Sequence, residues 1–263
     1  MKSFVKLIVA INLAVVISAC QPATPAKVNP VSPVLYATLY QQRAAEYKAL
    51  CYQAYNFAAI QLDSKLASRP GKPLAVVVDI DETVLDNSPY QAQGILENFG
   101  YPVKWADWVN AAKAETVPAA LGFLQYAGSK GVEVFYITNR KEMFRAVTLK
   151  NLTDKGFPYA DDAHLLMRTE SNGKESRRQL VSANFDIACL VGDNLGDFSD
   201  IFDTADANAR ADSTEKHRSD FGHTWIMLPN PSYGSWVDAL PGYKQQMAAD
   251  SLYEQLKEGL IGY

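Results

Sequence analysis

Residues 74–83 read Leu74-Ala75-Val76-Val77-Val78-Asp79-Ile80-Asp81-Glu82-Thr83. An apolar run without alternation describes a strand buried on both faces, the kind found inside a parallel sheet. Two carboxylates follow at once. A pair of acids two apart is common on solvated turns and by itself says little. In open α/β sheets, however, ligands bind at the carboxyl ends of the strands, and these acids stand at such an end.

The pattern recurs downstream. Apolar runs at residues 132–138, 164–167, 187–191 and 224–228 alternate with helical stretches such as 142–155 and 174–183. The alternation predicts an α/β fold with a doubly wound, mostly parallel sheet. Upstream, Ser32-Pro33 makes a helix start, and the chain to Leu66 then lacks Gly and Pro, so one or two long amino-terminal helices are expected. Arg69-Pro70-Gly71-Lys72-Pro73 breaks them. Residues 86–131 separate the first two strands by far more than a crossover needs, which predicts a small inserted cap over the site.

Two more strands end in polar residues: Thr138-Asn139-Arg140, and Gly192-Asp193-Asn194-Leu195-Gly196-Asp197. Acids on two separate strands point to a hard cation held by oxygen ligands, with Mg²⁺ the expected cofactor. Without a cation, clustered carboxylates repel and some take up protons. Asp200, Asp203, Asp206 and Asp212 read as a solvated acidic face. Arg177 and Arg178 are candidate partners for that face, with no role in the chemistry assigned. The chain has no Arg-His-Gly, no Gly-x-Ser-x-Gly and no Gly-Lys-Ser/Thr, which argues against histidine phosphatases, α/β-hydrolases and P-loop nucleotidases. His164, His217 and His223 lack zinc-site spacing.

The 263 residues, 48% hydrophobic and 21% charged, suit one large domain or a domain with a subdomain. A net charge of −4 argues against a nucleic-acid-coating surface. Three cysteines are too few for a disulfide scaffold. Pairing of Cys51 with Cys189 stays open at this level.

The motifs occur in the order of the haloacid dehalogenase superfamily: residues 79–83, then Ile137-Thr138-Asn139-Arg140, then Lys174, then residues 192–197. The longer strings at residues 79–88 and 192–198 resemble class C acid phosphatases, the four-aspartate group of bacterial surface lipoproteins. Pro229-Asn230-Pro231-Ser232-Tyr233-Gly234-Ser235-Trp236 resembles that family's carboxyl-terminal motif, with Val237 where the family often has Glu. The resemblance covers residues 33–263 and marks them as an acid phosphatase domain.

It implies the following roles. Asp79 is the nucleophile, forming an aspartyl-phosphate. Asp81 protonates the leaving oxygen and then activates water, and its backbone carbonyl joins Asp79 and Asp193 around the metal. Thr138 binds a phosphoryl oxygen, with Asn139 beside it in substrate binding. Lys174 neutralises developing charge, and Asp197 orients the metal shell. Without the resemblance, Lys174 reads as solvated surface and Thr138 as the cap of the following helix.

Tyr101, Trp105 and Trp108 stand at helical spacing near Tyr90 and Phe99. Such a stripe reads as core or as a stacking platform. The resemblance implies a base clamp, carried onto Phe99, Trp105 and Tyr233, and hence nucleoside 5′-monophosphates as substrates. A nucleoside phosphotransferase and a non-catalytic binding or adhesion lipoprotein are the alternatives. Tyr36, Tyr40, Tyr47, Tyr52 and Tyr55 on the amino-terminal helices fit either a homodimer contact or packing on their own core.

Residues 1–19 have the parts of a secretory signal: Lys2 and Lys6, an apolar segment, then Ser18-Ala19. Ile17-Ser18-Ala19-Cys20 resembles a bacterial lipobox, which implies cleavage before Cys20 and a lipid on its thiol. Gln21, in place of Asp, implies the outer membrane. Cleavage removes two lysines and no acid, taking the net charge from −4 to −6. Residues 20–32, with Pro22, Pro25 and Pro30, read as a solvated tether, so the lipid is the expected membrane attachment.

Overall fold

The computed structural model describes residues 34–263, apart from residues 69, 169, 205, 245, 246 and 248. The expected signal, lipobox and tether lie outside the described residues. In chain order the helices are α1 (Leu35–Arg43), α2 (Ala45–Ala67), α3 (Ser88–Glu97), α4 (Trp105–Ala111), α5 (Ala120–Ser129), α6 (Arg145–Asp154), α7 (Glu175–Asn184), α8 (Ala207–Lys216), α9 (Ser235–Asp238) and α10 (Ala249–Glu258). The strands are β1 (Leu74–Val78), β2 (Leu85–Asp86), β3 (Glu115–Thr116), β4 (Glu133–Lys141), β5 (Leu165–Arg168), β6 (Asp186–Gly192) and β7 (Trp225–Met227).

Five strands form one parallel sheet in the order β5-β4-β1-β6-β7. β1 lies at its centre, and all five of its residues are buried. That is why its sequence shows no alternation: both faces are covered, and no position tolerates a polar side chain. Because the strands run parallel, the carboxyl ends of β1, β4 and β6 lie together on one edge, and the three polar motifs meet there.

α2 buries Tyr47, Cys51, Ala54, Tyr55, Ala58 and Leu62, a 3.6-residue stripe facing the core. Tyr47 and Tyr55 therefore pack inside their own chain, whereas Tyr36 and Tyr52 are exposed. Cys51 and Cys189 are both buried and both free.

The stretch 86–131 divides. α3, α4 and the β2–β3 pair form the insertion, and α5 returns to the core, where Phe123 meets Tyr55 with ring centroids 5.6 Å apart. The inserted part is thus shorter than the connection length indicated, because the crossover helix is drawn from the same stretch. Tyr101 precedes α4 and packs edge-on against Trp105 at 5.9 Å, so the expected three-residue helical stripe begins only at Trp105.

Candidate active site

The Asp79 backbone N–H donates to the Val191 carbonyl at 3.0 Å, extending the ladder one residue beyond β1 and setting its side chain beside the end of β6. Lys174, immediately before α7, brings a buried ammonium between two acids. It donates to Asp79 Oδ1 and, at 2.7 Å, to Asp197 Oδ1. The other Asp197 oxygen accepts from the Asn194 backbone N–H at 2.9 Å, within a capping box that closes the turn after β6. Gly192 is required here, since a Cβ at this position would overlap the Asp197 side chain. Asp193 accepts from Thr83 Oγ1 at 3.0 Å and from Asn230 Nδ2 at 2.8 Å.

One carboxylate oxygen from each of Asp79, Asp193 and Asp197 lies within 4.8 Å of the others. Three buried carboxylates face one ammonium, leaving two negative charges to balance. An oxygen-only donor set with that excess fits a hard divalent cation. Burial pushes the Asp79 carboxyl well above the usual carboxylate range against the pull of Lys174, and Asp197 and Asp193 push the same way. Burial and then Asp197 raise Asp193 to about 7. Burial disfavours the Lys174 ammonium, but Asp197 and Asp79 overcome it and hold its pKa above the ordinary value. With no cation, the cluster answers its own repulsion by retaining protons.

Asp81 stands at the rim. Its Oδ1 accepts from Arg140 Nη2 at 2.7 Å, from Arg140 Nε at 3.0 Å and from Asn87 Nδ2 at 2.8 Å. Next to it, Glu82 is fully buried with φ 60°, in the left-handed region. Its carboxyl accepts from the Asn87 N–H at 2.9 Å, from Asn87 Nδ2 at 3.2 Å and from the Tyr233 hydroxyl. Burial raises Glu82 well above its ordinary pKa, with Asp81 adding to the effect.

Thr138 is buried, and its Oγ1 accepts from the Arg140 N–H at 3.1 Å. It therefore closes a local turn rather than capping the next helix. Asn139 is exposed, and its side-chain oxygen accepts from Arg177 Nη2 at 2.8 Å. Arg177 also reaches the Thr138 carbonyl at 2.6 Å and the Gly173 carbonyl at 3.0 Å. Arg178 donates to the Gly196 and Asp197 carbonyls, each at 2.9 Å. The two arginines thus tie the Lys174 turn to the motifs on either side. They are buried against the site and do not pair with the acidic face at 200–212, where Asp206 instead caps α8. Their positions, three and four residues past Lys174, put them on the same helical turn, which is the signal that could have found them.

On the cap, Phe99 and Trp105 both pack on Tyr90, at 5.9 and 5.1 Å. Trp105 also lies against Arg140, whose guanidinium carbon is 5.8 Å from the ring. Tyr233 comes from the loop after β7, tied to Glu82 by its hydroxyl. Arg140, Asn87, Glu82, Thr83 and Asn230 complete the site; all five lie inside the motif strings, but the sequence alone assigns them no role.

The profile of the HAD superfamily, subfamily IIIB (acid phosphatase), matches residues 8–236. The chain belongs to this family. Within it, a class C acid phosphatase from Bacillus anthracis has a solved structure 41% identical to this chain, with a TM-score of 0.85 over 89% of this chain and 98% of that one. A second structure of the class C enzyme, with tungstate bound, is 40% identical with the same TM-score. Among curated relatives, Acid phosphatase 1 of Solanum lycopersicum is 31% identical over 168 residues. Vegetative storage protein 2 of Arabidopsis thaliana is 25% identical over 176. The matches span 57% and 62% of the length of those two relatives, and 60% and 62% of this chain.

Proposed function

We propose that the protein is a divalent-metal-dependent acid phosphomonoesterase working through an aspartyl-phosphate, with Mg²⁺ as its cation and nucleoside 5′-monophosphates as its substrates. The observation that carries this reading is the convergence of the Asp79, Asp193 and Asp197 carboxylates at the end of the central strand, with the Lys174 ammonium bonded to Asp79 and Asp197. The family match and the tungstate-bound relative, in which an oxyanion is held, support it.

An Asp79 carboxylate oxygen attacks phosphorus. A P–O bond forms to Asp79 as the ester P–O bond breaks, and Asp81 delivers a proton to the departing oxygen. Asp81 then takes a proton from the attacking water, whose oxygen bonds to phosphorus and releases Asp79. The sum is phosphomonoester plus water giving alcohol plus inorganic phosphate. Thr138 and Asn139 hold phosphoryl oxygens, and Lys174 offsets charge that builds on them. The Asp79 and Asp193 carboxylates and the Asp81 carbonyl would hold a divalent cation, which would supply further neutralisation of those oxygens, with Asp197 and Asn230 orienting these ligands. Splitting the reaction in two matters because phosphomonoesters are among the slowest esters to hydrolyse unaided.

Phe99, Trp105 and Tyr233 are the proposed base platform, supported by the packing of Phe99 and Trp105 on Tyr90 of the cap and of Trp105 against Arg140. Cys20 is proposed as the lipidated residue of an outer-membrane lipoprotein. The deciding experiment assays the purified protein against p-nitrophenyl phosphate and a panel of nucleotides, with Mg²⁺ titration and Asp79→Asn as control. Metal-dependent turnover that vanishes in the variant supports the proposal. Turnover that survives either metal removal or the substitution overturns it.

A further inference from the structure

Both groups that hold Asp81 are themselves held by the cap. The Trp108 indole N–H donates to Asn87 Oδ1 at 2.7 Å. An amide whose oxygen accepts from an indole must present its NH₂ on the opposite side, where it meets Asp81 Oδ1 at 2.8 Å. Asn87 itself is fully buried. The second holder, Arg140, has a 2% exposed side chain braced by Trp105 on one side and by Thr148 Oγ1 at 3.3 Å on another. Trp105 and Trp108 are three residues apart on α4 and share its inner face. One short helix therefore reaches the same carboxyl by two routes.

The effect on that carboxyl is asymmetric. Oδ1 receives three donors between 2.7 and 3.0 Å. Oδ2 has one long contact, Arg140 Nε at 3.3 Å. Donors converging on one oxygen leave the other to exchange a proton with a substrate, and they fix the rotation of the group about its stem.

We propose that Trp105 and Trp108 are positioning residues for Asp81: acting through Arg140 and Asn87, they occupy Oδ1 and hold Oδ2 as the oxygen that serves the leaving group. The proposal rests on the phosphatase reading and on Asp81 as its acid. It assigns to the cap a control over which esters are cleaved, separate from any contact with a base. As the ester P–O bond breaks and the bond to Asp79 forms, the Oδ2 proton passes to the ester oxygen. Alkyl esters need that proton in order to leave. A p-nitrophenyl ester, whose oxyanion is delocalised, leaves largely without it.

The test compares Trp108→Phe with the unaltered full chain on an alkyl phosphate and on p-nitrophenyl phosphate. The substitution keeps a ring and removes only the N–H donor. Expected is a loss of kcat on the alkyl ester about tenfold greater than on the aryl ester, the scale of one lost neutral hydrogen bond, with KM for both unchanged. Equal losses on the two esters, or no loss on either, overturn the proposal. Arg140→Lys, which keeps the charge and loses the fork, is measured in the same way. If Trp108→Phe fails to fold, the ratio in Arg140→Lys decides by the same criterion. Asp79→Asn must abolish cleavage of both esters. If it does not, the underlying phosphatase reading has failed rather than the role of the cap.

Discussion

Lys174 donates to Asp197 Oδ1 at 2.7 Å while the same ammonium meets Asp79, so one cation spans the proposed nucleophile and the acid behind it. The arrangement keeps both carboxylates from repelling each other and, in the proposed reaction, leaves the ammonium where phosphoryl charge would grow. Lys174→Met removes the only positive charge in contact with Asp79 among the described residues. Turnover of p-nitrophenyl phosphate should fall about 10²–10³-fold, the cost of losing one preorganised donor at developing charge. Inhibition by inorganic phosphate should weaken in parallel. A variant that keeps its turnover would remove Lys174 from the chemistry.

The metal-free protein should become less stable as pH rises. Asp193 has a folded pKa of about 7 against an ordinary 3.8, and Asp79 and Glu82 are raised as well. Between those values the folded state binds more protons at these groups than the unfolded state, so their contribution to stability is fully present below about pH 4 and is lost as pH climbs toward 7. In the proposed function a divalent cation, Mg²⁺, takes the place of the lost protons as the source of neutralisation. Thermal unfolding in chelator should show Tm falling from pH 4 to 7, and the Tm gain on adding Mg²⁺ should be larger at pH 7 than at pH 5. A gain that is flat with pH would contradict a carboxylate-held cation.

The parts of this site that could be read ahead of the structure are those whose environment is written along the chain. Asp79 and Asp193 follow apolar strands directly, and a parallel sheet brings such ends together whatever the intervening loops do. Arg177 and Arg178 escaped, because a pair of arginines behind a charged turn looks like any solvated face. What sets them apart is that the α7 helix begins at that turn and rolls them inward onto the Thr138, Gly196 and Asp197 carbonyls. Asn87 and Glu82 escaped for a related reason: their partners, Trp108 and Tyr233, lie 21 and 151 residues away, and no local pattern encodes that separation. A connecting length does not show where an insertion stops and a crossover helix begins, and residues 86–131 contain α5 as well as α3 and α4.

Arg177 makes a prediction that separates bracing from chemistry. Its guanidinium satisfies the Thr138 and Gly173 carbonyls and the Asn139 side chain, and it is buried where no water can take its place. Arg177→Met should leave the Thr138 and Gly173 carbonyls unpaired, costing about 1–3 kcal/mol in urea unfolding. The loop carrying Thr138 and Asn139 should also loosen, so that KM for phosphomonoesters rises. Unchanged stability together with an unchanged KM would show that the contacts are passive.

Tyr233 joins two functions that substitution can divide. Its hydroxyl donates to the fully buried Glu82, and its ring is the proposed face for a base. Tyr233→Phe keeps the ring and leaves that Glu82 oxygen with only the Asn87 amide, at 3.2 Å. It should destabilise the fold by about 1–3 kcal/mol and leave nucleotide KM nearly unchanged. Tyr233→Ala should add the loss of a stacked ring, worth about 1–3 kcal/mol in nucleotide binding, while KM for p-nitrophenyl phosphate, which presents no base, moves less. The measurements are urea midpoints and KM for both substrates in both variants. Equal KM shifts for nucleotide and aryl ester in Tyr233→Ala would show that the ring supports the loop between Asn230 and Glu82 and holds no base.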